Sequence, residues 1–150
     1  MSKNALIGVA GVHYVASELS RRGMVALPTI RNTAAYDIVA LNAAGTKHAN
    51  IQVKASSKKV SFFPMPPPEK VRPGPRDVYV LVRWLVAEER YEGFLLSGRQ
   101  ARAAVEASCE YQSESIRRGT LKAVFPCIYV GLRDAVDAAR WNRAWEQWEL

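Results

Sequence analysis

The stretch that decides the fold is YDIVALNAAGTKHANIQVKA, which runs from Tyr36 to Ala55. It contains two runs rich in apolar residues, at 37–41 and 49–54, and an Asn/Gly cluster separates them at 42–45. Asn and Gly readily adopt the backbone conformations of tight turns. The stretch therefore predicts a β-hairpin.

Polar side chains occur in this hairpin at positions where a core strand ordinarily carries apolar ones. Because side chains alternate between the faces of a strand, Gln52 and Lys54 share one face and Val53 points the opposite way. Asp37 begins the partner strand and is expected beside them. A carboxylate, an amide and an ammonium group on one sheet face suggest a site for a metal ion and a phosphate.

These residue types suit phosphodiester hydrolysis, in which a metal ion neutralises developing charge and activates water. Mg²⁺ (or Mn²⁺) prefers oxygen ligands, which Asp37, the Gln52 amide and the Val53 backbone carbonyl supply. Lys54 would position the attacking water and stabilise phosphate charge. Each residue also has a structural interpretation, as a turn-forming Asp, an exposed Gln and a Lys that protects an edge strand.

The positive charge of the chain is concentrated in the half that contains the hairpin. The formal net charge is +7, and residues 1–75 carry ten Lys or Arg against three acids, whereas residues 76–150 carry eleven of each. A one-sided basic surface is typical of nucleic-acid binding. A solvated face without a nucleic-acid partner remains the alternative.

Length and composition indicate a single domain spanning residues 1–150. The chain is 49% hydrophobic, which suffices for a sizeable core at this length. No apolar run approaches the roughly 18 residues that span a bilayer, and we expect no membrane association and no secretory signal. Two cysteines are too few for a disulfide scaffold, so a cytoplasmic location is expected.

Periodicity and breakers predict the elements around the hairpin. Helices are expected at 4–22, from Ser97 to about Tyr111, and at 133–148; strands are expected at 24–31, 77–84, 91–96 and 125–131. This order predicts an α+β fold with one central mixed β-sheet of four to five strands, an N-terminal helix and C-terminal helices.

Two further segments allow more than one interpretation. The stretch 64–75 holds six prolines and one glycine, and we interpret it as an extended proline-rich loop, either a connector or a ligand motif for a proline-reading module. Trp141, Trp145 and Trp148 form a stripe on the last helix. Such a stripe indicates packing or a dimer contact.

The chain resembles the PD-(D/E)xK nuclease superfamily, in its short stand-alone branch related to bacterial intron-encoded and restriction-type endonucleases. The matching residues are Gly11–Gly23 (GVHYVASELSRRG), Asn32, Tyr36–Ile38, Ile51–Ser56 (IQVKAS) and Trp145. The similarity extends over most of the chain and is strongest over residues 11–57.

The resemblance implies an α/β/α restriction endonuclease-like fold with its site on the second and third strands. Asp37 then corresponds to the metal-binding aspartate and Lys54 to the catalytic lysine. Gln52 stands in place of the second acidic residue, a variant that the superfamily accepts. The implied activity is metal-dependent cleavage of DNA.

One departure from the superfamily pattern lies on the first helix. Members commonly carry a Gly-Glu dipeptide where this chain has Gly11-Val12. His13 is offset from Val12 by about 100° around the helix, and Glu18 by about 240°. A shifted alignment that recruits Glu18 is the way in which this helix would still contribute a carboxylate.

Three hypotheses therefore follow from the sequence. The first is a metal-dependent DNA endonuclease, acting as a homodimer or higher homo-oligomer through the tryptophan-bearing helix. The second is an inactive domain that binds nucleic acid through Lys54 and a set of neighbouring polar residues, namely Arg31, Asn32, Lys47, Ser56, Lys58 and Lys59. The third is a protein–protein interaction domain that uses the proline-rich loop and the tryptophan helix.

Overall fold

The computed structural model describes residues 1–30, 36–131 and 134–150 and confirms the predicted α+β fold. Its elements are α1 (Lys3–Arg21), β1 (Val25–Pro28), β2 (Ile38–Leu41), β3 (His48–Ser56), β4 (Phe62–Pro64), a 3₁₀ turn (Pro68–Lys70), β5 (Asp77–Leu85), β6 (Arg90–Ser97), α2 (Gly98–Arg117), β7 (Cys127–Tyr129) and α3 (Ala135–Gln147). No helix in the described part of the chain is long and apolar enough to cross a membrane.

The central sheet has five strands in the order β1-β2-β3-β5-β6. Only the β3–β5 pair is parallel, and the other three pairs are antiparallel, so the sheet is mixed as expected. The predicted hairpin is β2–β3, with Ile38 paired to Ile51. Asn42 closes its turn, since its side-chain oxygen accepts the backbone N–H groups of Thr46 and Lys47.

The sheet separates two apolar cores. Ile51 and Val53 of β3 point into the first core together with Val15 and Leu19 of α1, and we call this side of the sheet the α1 face. Tyr79, Leu81 and Leu96 point the opposite way into the second core, beneath α2. The opposite side is called the α2 face.

The helix α3 packs against β6, and its tryptophans are structural. Trp145 is fully buried and Trp141 is 5% exposed. Gly93 of β6 makes this packing possible, because a Cβ there would lie 2.4 Å from the Trp145 ring. Of the two interpretations of the stripe, packing is confirmed for Trp141 and Trp145, since both fill the interior of one chain.

The proline-rich segment forms most of the crossover between the parallel strands β3 and β5. Such crossovers usually contain an α-helix, which prolines at these positions would disrupt. The prediction of one extended loop at 64–75 was too simple. Pro64 ends the strand β4, which pairs with β7 in a separate two-stranded sheet, and Pro68 begins a 3₁₀ turn.

Two other boundaries differ from expectation. Ser97 and Gln100 form the predicted capping box, but α2 continues six residues past Tyr111 to Arg117. The strand predicted at 125–131 contains only Cys127–Tyr129, and it joins β4 rather than the central sheet.

Candidate active site

Asp37 and Gln52 are in direct contact at the start of the hairpin. The Gln52 amide donates from Nε2 to the Asp37 Oδ2 atom at 2.6 Å. The backbone N–H of Val53 donates to the same oxygen at 2.7 Å. One carboxylate oxygen therefore gathers a side chain and a backbone group from the neighbouring strand.

Strand length explains why these residues meet. The strand β2 begins at Ile38, opposite Ile51, whereas β3 continues to Ser56. Val53 thus lies past the end of the β2 ladder, where its N–H needs another acceptor. The Asp37 carboxylate supplies that acceptor, in accord with the structural interpretation of this residue as a bonder of backbone N–H groups.

Lys54 shares a sheet face with the Asp37–Gln52 pair. Side chains of β3 alternate, with Ile51 and Val53 buried on the α1 face and Gln52 and Lys54 half-buried on the α2 face. Lys54 lies two residues from Gln52, or about 7 Å along the strand. Gln52 and Lys54 therefore share a face as alternation predicts, but Lys54 is not among the described residues that line the cleft beside the pair.

A cleft of about 480 Å³ opens beside this pair. The helix α1 contributes Val12 and His13 to its wall, and the sheet contributes Asp37, Gln52 and Val53. Position 12 of α1 therefore faces the cleft. In this chain that position supplies the isopropyl group of Val12, and the exposed His13 lies beside it.

The cleft has a modest capacity for a metal ion. Asp37 is the one carboxylate among its described lining residues, and no three His, Cys, Asp or Glu side chains in residues 1–30, 36–131 and 134–150 come together as a metal-binding group. Mg²⁺ is often held by one or two carboxylates together with substrate phosphate. The oxygens of Asp37 and Gln52 fit this minimal set, provided that the Gln52 amide turns its oxygen toward the ion.

Glu18 lies elsewhere on α1, in the last turn of the helix. Its carboxylate accepts hydrogen bonds from Arg21 at 2.9 Å and lies 3.5 Å from the Arg22 guanidinium. The hydrogen bond from Arg21 is the main reason that the pKa of Glu18 is lowered. Glu18 is not among the described residues that line the cleft.

The residues predicted to bind nucleic acid do not form one cluster. Lys47 is exposed beside the hairpin turn, whereas Ser56, Lys58 and Lys59 lie at the other end of β3. The nine residues of β3 separate the two groups by about 30 Å. Arg31 and Asn32 lie outside the described residues.

Sequence reasoning missed two pairs in which an arginine of the crossover contacts an aromatic side chain, one beside Asp37 and one at the hairpin-turn end of β3. The Arg72 guanidinium donates to the Tyr36 hydroxyl at 2.8 Å and lies 4.9 Å from its ring centroid. Arg76 contacts His48 at the start of β3, with 3.3 Å between their side-chain nitrogens. Both arginines belong to the proline-rich crossover, and their positive charge in that segment was the available signal.

The functional proposal for this chain rests on the geometry described above. No protein-family model matches the chain, and no curated protein matches it.

Proposed function

We propose that the chain is a metal-dependent endonuclease of the PD-(D/E)xK type that hydrolyses phosphodiester bonds in DNA. The observation that carries the proposal is the contact between Asp37 and Gln52 in a cleft that also faces position 12 of α1. The spacing of Lys54 on the same face, the mixed sheet and the basic first half of the chain support it.

Each residue of the site has a defined task in this proposal. Asp37 and Gln52 would hold Mg²⁺ or Mn²⁺ through side-chain oxygens, and the Val53 backbone carbonyl is the proposed third protein ligand. The ion, when bound, supplies charge neutralisation and an activated water. The Lys54 ammonium would orient an attacking water and stabilise the negative charge that develops on the phosphate.

Nicking of supercoiled plasmid in Mg²⁺ or Mn²⁺ tests the proposal. We expect Asp37→Asn and Lys54→Ala to lose at least about 100-fold in rate, the lower end for a positioned proton-transfer or electrostatic group. Lys122→Ala is the matched control, because this exposed lysine lies between α2 and β7. Cleavage that persists at the full rate in Lys54→Ala would overturn the assignment.

The second candidate is a nucleic-acid-binding domain on the same scaffold without cleavage. Val12 favours it, because an apolar side chain occupies the cleft wall where a second carboxylate would assist the metal. This candidate predicts DNA affinity that falls steeply with salt, and no cleavage with any divalent ion. Divalent-dependent nicking that is lost in Asp37→Asn would exclude it.

The oligomeric state that the proposed activity requires can also be tested. Cleavage of both DNA strands needs two sites, so a homodimer or higher homo-oligomer in the cytoplasm is expected. Since Trp141 and Trp145 are buried, residues other than these two would form the contact. Sedimentation of the protein with and without a DNA duplex measures the number of chains, and a monomer in both cases would contradict this expectation.

A further inference from the structure

Arg72 connects the two ends of a row of neighbouring residues that crosses the sheet from Asp37 through Gln52 to Tyr79 and contains the candidate site. Asp37 contacts Gln52 across β2 and β3, and Gln52 is in register with Tyr79 on β5. The backbone N–H of Arg72 donates to the Tyr79 hydroxyl at 3.0 Å. At the other end, its guanidinium bonds to Tyr36, the residue next to Asp37. The side chain therefore extends from the β5 end of the row toward the Asp37 end.

The backbone that carries Arg72 is fixed in place. The preceding residue, Val71, is fully buried in the second core. The Arg72 carbonyl lies so close to Gly98 that a Cβ there would be 2.2 Å from the carbonyl oxygen. Pro73 follows, and the residue before a proline is restricted to extended conformations.

A second contact anchors the crossover from α2. Arg102 donates to the carbonyl of Pro68 at 3.0 Å and to that of Glu69 at 3.2 Å. The crossover is thus tied to the sheet at Tyr79 and to α2 at Arg102. Arg72 is presented from a rigid support rather than from a free loop.

The guanidinium of Arg72 retains the chemistry needed to bind an anion. It is exposed, and one of its terminal nitrogens donates to the Tyr36 hydroxyl. A guanidinium has five N–H donors in a planar fork that matches two phosphate oxygens. The hydroxyl and the ring of Tyr36 hold this fork in one orientation, which lowers the entropy lost on binding.

We propose that Arg72, oriented by Tyr36, is a phosphate-binding residue that holds a DNA phosphodiester beside the Asp37–Gln52 pair. The proposal rests on the proposed function for its ligand class, a nucleic-acid backbone. It does not depend on cleavage, since an inactive binding domain would use the same contact. The competing role is structural, in which Arg72 only ties the crossover to the sheet.

Fluorescence anisotropy with a labelled short DNA duplex in EDTA, over a series of salt concentrations, separates the two roles. We expect Arg72→Gln to weaken binding about tenfold, the loss typical of one hydrogen bond to a charged group, and to reduce the salt slope by about one. Arg72→Lys should retain the slope but recover only part of the affinity, because an ammonium cannot bind bidentately. Arg143→Gln, an exposed site on α3 at the opposite edge of the sheet, is the charge-matched control.

Tyr36→Phe provides an independent readout, because it keeps the ring and removes only the hydroxyl acceptor. We expect a two- to fivefold loss of affinity, of the order of one neutral hydrogen bond, with an unchanged salt slope. If Arg72→Gln does not fold, Arg72→Lys and Tyr36→Phe decide the question. Affinities and slopes in these variants that equal those of Arg143→Gln would overturn the proposal.

The outcome for wild-type protein distinguishes this inference from the proposed function. Wild type that binds DNA but never cleaves it, with binding weakened in Arg72→Gln, would remove the nuclease and retain the inference. Wild type that cleaves, with Arg72→Gln equal to the control, would remove the inference alone. Wild type that does not bind DNA at low salt would overturn both.

Discussion

Two polar clusters each join neighbouring strands of the same sheet, and they are built in opposite ways. Arg83 and Glu92 form an ion pair at 2.7 Å between β5 and β6. Asp37 and Gln52 form a carboxylate–amide pair at 2.6 Å between β2 and β3. The first pair is balanced in charge, whereas the second contributes one net negative charge.

The remaining bonds of Arg83 are also made within the protein. Its guanidinium donates to the carbonyls of Val60 and Val130, and it lies 5.0 Å from the ring centroid of Phe94. Arg83 is only 8% exposed. This cluster therefore joins the central sheet to the segments that carry β4 and β7, and it has the properties of a structural clamp.

Asp37, in contrast, is half-buried in the wall of an open cleft. Its two donors, the Gln52 amide and the Val53 N–H, are both neutral. The comparison separates two kinds of polar cluster on a sheet. In the closed cluster, Arg83–Glu92, the two charges compensate each other. In the open cluster, Asp37–Gln52, a negative charge remains that can attract a cation. Only the open kind is expected to respond to divalent metal.

Arg83→Met should produce the largest loss of stability. It leaves the Glu92 carboxylate and two carbonyls without their donor, and breaking a buried pair in this way costs about 3 kcal/mol. Urea unfolding measures the loss, with the exposed Arg90→Met as a matched control. Mg²⁺ affinity should stay unchanged, and a fall in Mg²⁺ affinity would contradict the division between the two clusters.

Asp37→Ala should cost less stability and yet abolish metal binding. It leaves the Val53 N–H and the Gln52 amide without an acceptor, at a cost of about 1–3 kcal/mol. Asp37→Asn retains an acceptor oxygen and should be closer to wild type in stability. Calorimetric titration with Mg²⁺ in the presence of a DNA duplex should detect, in either variant, no metal binding beyond that of the duplex alone. Undiminished binding in Asp37→Asn would remove this carboxylate from the metal site.

The features of the open cluster that the sequence predicted correctly depend on residues that lie close together along the chain. The turn at Asn42 and the two-residue alternation of β3 are local, and they placed Gln52 correctly relative to Val53. The helix α1 was also predicted locally, and Val12 does face the cleft. These features follow from periodicity and turn chemistry within a few residues.

The features that were missed depend on long-range packing. The strands β4 and β7 have three residues each, too few for periodicity to reveal, and they pair across more than 60 positions. Arg72 reaches Tyr36 only because the crossover folds back over the sheet. Proline content predicted that the crossover would lack an α-helix, but it carried no information about where the crossover lies.

Gln52→Glu should turn the open cluster into a stronger metal site. Without metal, two adjacent carboxylates repel and one acquires a raised pKa, so we expect a loss of about 1 kcal/mol at neutral pH. Mg²⁺ should offset this loss, and its affinity should rise about tenfold. Thermal unfolding with and without Mg²⁺ measures both effects.

Val12→Glu tests the same site from the helix side of the cleft. A carboxylate at this position should also strengthen Mg²⁺ binding, because Val12 lines the cleft with Asp37. Ala10→Glu is its control on the same helix, since Ala10 is exposed and is not among the described residues that line the cleft. No gain in Gln52→Glu or Val12→Glu would mean that the cluster is closed despite its charge.

Glu18→Gln should have the smallest effect of all and tests whether a third carboxylate belongs to the site. The pKa of Glu18 is lowered from its usual value of 4.5, first by the hydrogen bond from Arg21. The ionised carboxylate therefore stabilises the fold, and this contribution is fully present when the pH is above 4.5. That contribution is lost as pH falls through the lowered pKa. At pH 7 the substitution should cost only a few tenths of a kcal/mol, as for other partly exposed ion pairs, and in strong acid it should cost nothing.

The Mg²⁺ affinity of Glu18→Gln should not change, because Arg21 and Arg22 already neutralise this carboxylate in the last turn of α1. A loss of metal affinity as large as that of Asp37→Asn would place Glu18 in the site and make the open cluster a two-carboxylate centre.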